Sequence, residues 1–134
     1  MSSEQYIQIF QRAINDYHVT DDVDSPEKNP YDKKSLEHLL YLKNWIDTVQ
    51  WHLEDIIRNP VIDAVEALAI KRRIDSSNQH RTDVVEYIDS WFLKKYEGVT
   101  AMPQATLNTE SPAWAIDRLS ILELKVFHMQ AETE

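Results

Sequence analysis

Apolar residues recur at steps of three and four along most of the chain, the spacing that places them on one face of an α-helix. No run of residues alternates between apolar and polar in the way that a half-buried strand requires. The pattern predicts an all-α fold, an antiparallel helical bundle of about four helices with one long central helix. We expect residues 1–134 to form a single helical-bundle domain, because a chain of this length can bury its own core.

The first two helices are predicted on either side of an acidic segment. The first covers about Ser3 to His18, and residues 19–34 combine two prolines with four aspartates, which indicates an irregular surface loop. Ser35 is a good N-cap for the second helix, and Asn59 followed by Pro60 ends it.

The third predicted helix is the longest. Asp63 caps it, Glu66 stands three residues later in the capping-box position, and Gly98 is a natural C-terminal stop. Unbroken, the helix would be about 50 Å long and about ten residues longer than its neighbour, so its far end needs another partner. The alternative is a break at Ser76 and Ser77, where the serine side chains would cap a restarted helix.

A fourth helix is predicted after a loop at residues 99–110. Ser111 followed by Pro112 is typical of an N-cap and a first helical position, and the helix runs to about Gln130. It is apolar on two sides, one formed by Leu119, Leu122, Val126 and Met129 and the other by Trp114, Ile121 and Leu124. Such a helix is buried within a bundle or shared with a second subunit, so we expect a homo-oligomer, with a dimer as the simplest form.

Polar residues interrupt the apolar stripe of the third helix. Asn78 and Arg81 fall on the same helical face as Ile74 and Val85. A second polar ridge beside it comprises Asp75, Gln79, Thr82, Glu86 and Asp89. One interpretation is a buried network of hydrogen bonds and ion pairs that fixes the helix register. The other is a ligand pocket in which Arg81 and Asn78 hold an anionic or carbonyl group.

The segment WHLEDIIR, residues 51–58, places His52 at the border of the apolar seam of the second helix. The order His52-x-x-Asp55 reverses the Glu-x-x-His order of metal sites in bundles. A structural histidine is therefore the simpler interpretation, and no metal site is predicted.

The fourth helix carries a second set of polar residues. Asp117 and His128 share one stripe, while Arg118 and Lys125 are neighbours on another side. Structural salt bridges are the simpler interpretation of both pairs. If this helix runs antiparallel to the third, His128 approaches Arg81. In that arrangement Arg118 would also lie near Asp89 and Lys125 near Asp83.

A tight connection at Asn59-Pro60 would make the second and third helices antiparallel and place Tyr41 level with Arg81. Glu54 then lies about 27 Å along the axis from Glu86. These two carboxylates cannot share a site within this pair of helices.

The composition of the chain mainly excludes classes of function and partner. The chain has 23 acidic and 14 basic residues and a net charge of -9, so we expect neither nucleic acid nor a membrane as a partner. The absence of cysteine excludes disulfides and thiolate chemistry. Gly98 is the only glycine, which excludes a P-loop and a dinucleotide-binding turn. No signal-peptide pattern or run of about 18 apolar residues is present, so we expect a cytoplasmic location.

Three segments resemble a known family. WHLEDIIR, KRRIDSSNQHRTD with VEYID after it, and NTESPAWAIDRLSILELKVFHM are similar to a bacterial family catalogued as domain of unknown function 4254, particularly its Bacteroidetes members. The resemblance covers roughly Leu36 to Met129 and implies no established activity. It does imply an association with glycosyltransferases of envelope polysaccharide or lipopolysaccharide assembly. The candidate ligand-binding residues are Asn78, Gln79, Arg81, Glu86, Asp89, Asp117, Arg118, Lys125, His128 and His52.

These observations favour a cytoplasmic helical accessory or binding protein that takes a small anionic ligand, self-associates and works beside a glycosyltransferase. It needs no cofactor, and catalytic residues are unknown. The alternative is an Mg²⁺-dependent enzyme similar to the all-α nucleotide pyrophosphohydrolases, with carboxylates around Glu86 and Asp89 as ligands. A third hypothesis is a mutase-like pocket in which Arg81 and Arg118 clamp a dianion. Whether the chain is an enzyme stays open.

Overall fold

The computed structural model describes residues 3–95 and 112–133. Within them the chain forms four α-helices and no strand: α1 (Ser3–Thr20), α2 (Leu36–Ile57), α3 (Ala64–Lys95) and α4 (Pro112–Thr133). The predicted all-α bundle is confirmed. The predicted stop at Gly98, the loop at residues 99–110 and the N-cap Ser111 lie outside the described residues.

The predicted capping residues begin α2 and α3. The Ser35 hydroxyl accepts a hydrogen bond from the His38 N–H at 3.2 Å, and the Asp63 carboxylate accepts one from the Glu66 N–H at 3.3 Å. Each bond satisfies a backbone donor that the first helical turn leaves unpaired, and such a cap contributes about 1 kcal/mol. α3 continues without interruption through residues 76–77, so the alternative of a broken helix is wrong.

α1 ends where the chain enters the left-handed region. Asp21 has a φ of 51°, and its N–H donates to the Tyr17 carbonyl at 2.9 Å and closes the last turn. The residues between Asp21 and α2 form turns and bends, as the predicted irregular loop requires. Arg73 of α3 fastens this segment to the bundle through the Asp24 carboxylate at 3.0 Å and the Val23 carbonyl at 3.3 Å.

The core lies along α2, which packs against the other three helices, as α4 does. α3 is the longest helix, with 32 residues against 22 in α2, and it contacts α2 and α4. Burial of one large apolar side chain contributes about 1.5–3 kcal/mol. The fully buried apolar side chains include Phe10, Ile14, Tyr17, Leu40, Tyr41, Leu53, Val84, Val85, Ile88 and Leu124.

α2 and α3 run antiparallel, as predicted, but with a different register. The prediction places Tyr41 level with Arg81, whereas the Arg81 guanidinium lies 3.4 Å from Asp47, almost two turns further along α2. The first turns of α3 project beyond the end of α2, where Val65 and Leu68 are 78% and 52% exposed. The predicted register is wrong because the connection is not a tight turn between level helix ends.

α4 runs parallel to α2 and therefore antiparallel to α3. In the first half of α4 Asn44 donates a hydrogen bond to Ser120 at 3.0 Å, and in the second half the ring of His128 stacks on Trp51 with centroids 4.4 Å apart. Residue numbers thus rise together along α2 and α4. The antiparallel arrangement of α3 and α4, considered as one option from the sequence, is the one that the structure has.

The position of α4 along the bundle differs from the prediction. Asp117, and not His128, meets Arg81, at 2.8 Å. A buried carboxylate needs cations at its own level, and the position of Asp117 therefore decides how far α4 is displaced along its axis.

Candidate functional site

Five polar side chains from three helices meet in the core, and we call them the charge cluster. Lys43 and Asp47 come from α2, Arg81 from α3, and Asp117 and Ser120 from α4. The Lys43 ammonium contacts Asp47 and lies 2.7 Å from Asp117. Arg81 donates two hydrogen bonds to Asp117, from Nε at 3.1 Å and from Nη2 at 2.8 Å. The Ser120 hydroxyl donates to Asp47 at 2.8 Å.

The charge cluster is balanced, with two cations and two carboxylates. The Lys43 side chain is fully buried, and the side chains of Asp47 and Asp117 are 3% and 5% exposed. Burial raises the pKa of the Asp47 carboxyl, an effect that Lys43 and Ser120 oppose. Buried charges are tolerated when each has partners, whereas removal of one partner leaves an uncompensated charge. The cluster therefore locks α2, α3 and α4 in one register.

A pocket of about 240 Å³ opens beside the charge cluster, and we call it the three-helix pocket. Arg81 reaches it, because its side chain is 25% exposed while Asp117 holds the guanidinium. Lys125 is exposed at the same pocket and makes no ion pair with any described residue. The lining is completed by Asp47, Gln50, Trp51, Glu54, Ile121 and Leu124. Two cations, an amide and two carboxylates thus surround an apolar surface.

Three histidines from three helices form a separate group, the histidine cluster. His18 lies in the last turn of α1, His52 in α2 and His128 in α4. Each offers one ring nitrogen, and these three atoms lie within 4.8 Å of one another. Burial lowers the pKa of His52, and the neighbouring His18 acts in the same direction. Trp51, which lines the three-helix pocket, stacks on His128 and joins the two regions.

A larger groove of about 570 Å³ lies between α2, α3 and the segment after α1. Its floor is apolar and includes Leu42, Trp45 and Val49. Two of its polar side chains have structural partners: Arg73 holds the segment after α1, and the Ser77 hydroxyl donates to Gln50 at 3.1 Å. Its other polar side chains are Glu27, Arg72, Ser76 and His80, so the groove differs from the three-helix pocket in its large apolar floor and not in the number of its polar groups.

Half of the candidate residues from the sequence lie in the charge cluster, the three-helix pocket or the histidine cluster. Arg81 and Asp117 belong to the charge cluster, Lys125 lines the three-helix pocket, and His52 and His128 belong to the histidine cluster. The others lie outside these groups. Asn78 is exposed and accepts a hydrogen bond from Gln50 at 2.9 Å, and Gln79 donates to Asp83 at 3.0 Å. Glu86 and Arg118 are exposed and Asp89 is half-buried.

The acids proposed as Mg²⁺ ligands gain no further ligand in the described part of the chain. The only group there of three or more potential ligand side chains within 4.8 Å is the histidine cluster. Glu86 and Asp89 are therefore not joined by a third carboxylate or histidine at that distance. The structure adds no support to the pyrophosphohydrolase alternative.

The sequence did not point to Lys43, Asp47 or His18. Lys43 and Asp47 are four residues apart with Asn44 and Thr48 beside them, a polar stripe that is typical of a solvent-facing side. The signal that could have revealed its burial is the apolar character of α2 on both sides of this stripe, at Leu40 and Ile46 among others. His18 gave no such signal, since a histidine at a helix C-terminus is common on electrostatic grounds.

The fold and the site define a helical-bundle protein with a polar pocket between three of its helices. The chain belongs to the family described as "Protein of unknown function (DUF4254)", whose model matches residues 37–134. The family resemblance predicted from the three segments is confirmed. Neither the search of curated proteins nor that of solved structures found a match. No helix among the described residues has the length and apolar character that crossing a membrane requires.

Proposed function

We propose that this protein is a helical binding protein that holds a small anionic ligand in the three-helix pocket. The orientation of Arg81 carries this proposal. Its guanidinium has five N–H donors, and Asp117 takes only two of them, one on Nε and one on Nη2. The remaining edge of a planar group fixed in this way suits a carboxylate or phosphate, which Arg binds through paired hydrogen bonds.

The pocket lining contains two cations that an anionic ligand can contact, Arg81 and Lys125. The charge cluster is neutral by itself, and the charge of the exposed Lys125 is balanced by Glu54 in the same lining. Glu54 and Gln50 can accept hydrogen bonds from hydroxyl or amino groups. The volume of about 240 Å³ is below the roughly 300–1,000 Å³ of sites for drug-sized ligands. The ligand class is therefore a small organic acid or phosphate ester that carries hydroxyl or amino groups.

The association with envelope-glycan assembly, the glycosyltransferase partner and the cytoplasmic location stay predictions from the resemblance and the composition. They do narrow the ligands to be tried first. Sugar phosphates and sugar acids combine an anionic group with several hydroxyls, which is the chemistry that the pocket lining favours.

The test is isothermal titration of the full chain with a panel of sugar phosphates, sugar acids and dicarboxylates. We expect at least one of them to bind, more weakly at high salt. Lys125→Gln should weaken this binding by about tenfold, since a hydrogen bond to a charged group is worth roughly 1.5–3 kcal/mol. Lys71→Gln, an exposed lysine of α3 outside the pocket, is the matched control and should leave affinity unchanged. No binding by any compound, or equal affinity in both variants, contradicts the proposal.

Self-association is a second part of the proposal. Leu122, Val126 and Met129 form one row on α4 and are 53%, 39% and 65% exposed, the side that the sequence predicts to be apolar. A second copy of the chain would remove such a row from water. Light scattering should give the mass of a dimer for the natural chain and of a monomer for Leu122→Glu. A monomeric natural chain at high concentration would show that the homo-oligomer prediction is wrong.

A further inference from the structure

The histidine cluster has no part in the proposed binding of an anion. Its three imidazoles come from α1, α2 and α4, and all three side chains are half-buried. We propose that His18, His52 and His128 bind a divalent transition-metal ion of the Zn²⁺ class, at a site separate from the three-helix pocket.

The distances fit a metal ion of this size. Zn–N bonds of about 2.0–2.1 Å at a tetrahedral angle place two ligand nitrogens about 3.3 Å apart. The Nε2 atoms of His18 and His52 are 3.3 Å apart. The ligand nitrogen of His128 lies within 4.8 Å of both. Three protein ligands leave a fourth position for water or another ligand.

The hydrogen bond of His18 to the backbone determines which of its ring nitrogens can bind a metal ion. Its Nδ1 lies 2.7 Å from the Ile14 carbonyl oxygen, which has no proton, so Nδ1–H must be the donor of this bond. The lone pair of a neutral His18 is therefore on Nε2, the atom that faces His52. A histidine whose second nitrogen donates to a backbone carbonyl is the usual arrangement of a metal ligand.

Aromatic neighbours fix the planes of the three rings. Tyr17 stacks on His52 with centroids 4.9 Å apart and an angle of 16°, and Trp51 stacks on His128 at 4.4 Å and 2°. Phe127 packs against His18 at 4.5 Å. Rings that are held in place lose less conformational freedom on binding. Three imidazoles without carboxylates select Zn²⁺, Ni²⁺, Co²⁺ or Cu²⁺ over Mg²⁺ and Ca²⁺.

The competing explanation is a set of stacked rings with a structural role, in which His18 and His52 share one N–H···N hydrogen bond at 3.3 Å. The two explanations differ in a measurable way. A metal site binds one ion per chain and needs all three histidines, whereas a stacked cluster binds none with that stoichiometry.

The experiment is a calorimetric titration with ZnCl₂ at neutral pH, on chain made without a histidine tag and stripped of metal by a chelator. We expect one Zn²⁺ per chain. His52→Gln and His128→Gln should each lower the affinity by at least about 100-fold, beyond the roughly 10- to 100-fold that loss of an outer-shell partner costs. His80→Gln is the matched control, because His80 is exposed on α3 and lines the larger groove, and it should bind as the natural chain does.

A second measurement needs no variant and holds even if a substitution prevents folding. Long-range ¹⁵N–¹H NMR of the natural chain resolves the ring nitrogens of its 5 histidines. Zn²⁺ should shift those of His18, His52 and His128 and leave His38 and His80 in place. Absence of stoichiometric binding, binding retained by both cluster variants, or shifts confined to the other two histidines would overturn the proposal. The anion-binding proposal depends on Lys125 and stands or falls separately.

Discussion

The charge cluster and the histidine cluster are both built by residues from three helices, but they differ in how their groups complement each other. In the charge cluster, cations and carboxylates alternate, and each buried group has a partner of opposite charge. In the histidine cluster, three groups of one kind bring their nitrogens together. Opposite charges neutralise each other. Three imidazoles whose ring nitrogens converge need shared protons or a bound ion between them. We infer that the first cluster maintains the fold, with Arg81 also reaching the three-helix pocket, and that the second is open to a metal ion.

The largest expected effect comes from breaking the charge cluster. Asp117→Asn keeps the shape of the side chain but leaves Lys43 and Arg81 with one carboxylate between them. We expect the free energy of unfolding to fall by about 3–5 kcal/mol, because an uncompensated charge stays buried. Asp75→Asn is the control, since Asp75 pairs with Lys71 on the surface with a side chain 64% exposed, and should change stability by less than about 0.5 kcal/mol. Urea unfolding of both variants is the measurement, and equal losses would contradict this role of the cluster.

A double substitution tests whether apolar side chains can replace part of the charge cluster. Lys43→Met with Asp117→Leu removes one cation and one anion, and leaves Arg81 to pair with Asp47. Replacement of a buried ion pair by apolar side chains is often neutral or stabilising. We expect the double variant to be more stable than Asp117→Asn alone in the same urea experiment. A further loss of stability would mean that the four charges act as one unit that apolar packing cannot replace.

The next effect concerns the histidine cluster and appears only with metal. Zn²⁺ at 100 times its dissociation constant should raise the free energy of unfolding by about 2.7 kcal/mol, because it binds the folded chain. The rise in melting temperature should disappear in His52→Gln and persist in His80→Gln. Stabilisation of both variants to the same extent would place the metal elsewhere.

The smallest expected effect is the loss of a single polar contact, which gives a scale for the larger losses of stability. Tyr41 is buried in α2 and its hydroxyl donates to Asp16 at 2.7 Å. Tyr41→Phe should cost about 0.5–1.5 kcal/mol, the usual contribution of one hydrogen bond. If its loss equals that of Asp117→Asn, burial alone and not charge pairing explains both results.

The same residue gives a pH dependence. Burial, followed by the hydrogen bond to Asp16, raises the pKa of Tyr41 above the ordinary value of 10.0. Above pH about 10 the unfolded chain releases this proton while the folded chain keeps it, so stability falls as pH rises. Below that pH the contribution of Tyr41 is fully present. In Tyr41→Phe this part of the alkaline loss should vanish, which unfolding curves on either side of pH about 10 can measure.

The helices could be predicted from the sequence because their signals are local. Ser35 and Asp63 cap the helices that they were expected to cap, and the spacing of apolar residues located all four. Arg81 also stood out, since a guanidinium on an apolar stripe needs an explanation. The contacts among helices depend instead on their displacement along the axis, which no local pattern encodes.

The site was harder to predict for the same reason. Lys43 looks like a solvent-facing lysine until three helices surround it, and its partner Asp117 is distant in the chain. The histidine cluster needs His18, whose helix packs against α2 and α4, and a ligand motif within one helix does not predict a site spread over three. The three-helix pocket forms only in the register that the helices have, with Asp47 beside Arg81.

The most direct test of the difference between the two clusters is anomalous X-ray scattering at the zinc edge from crystals of the full chain grown with Zn²⁺. The expected result is one strong peak about 2.0–2.1 Å from a ring nitrogen of each of His18, His52 and His128, with the ion pairs of the charge cluster unchanged. A map without a peak at these three histidines, or with a peak on the carboxylates of Asp47 and Asp117, would contradict it.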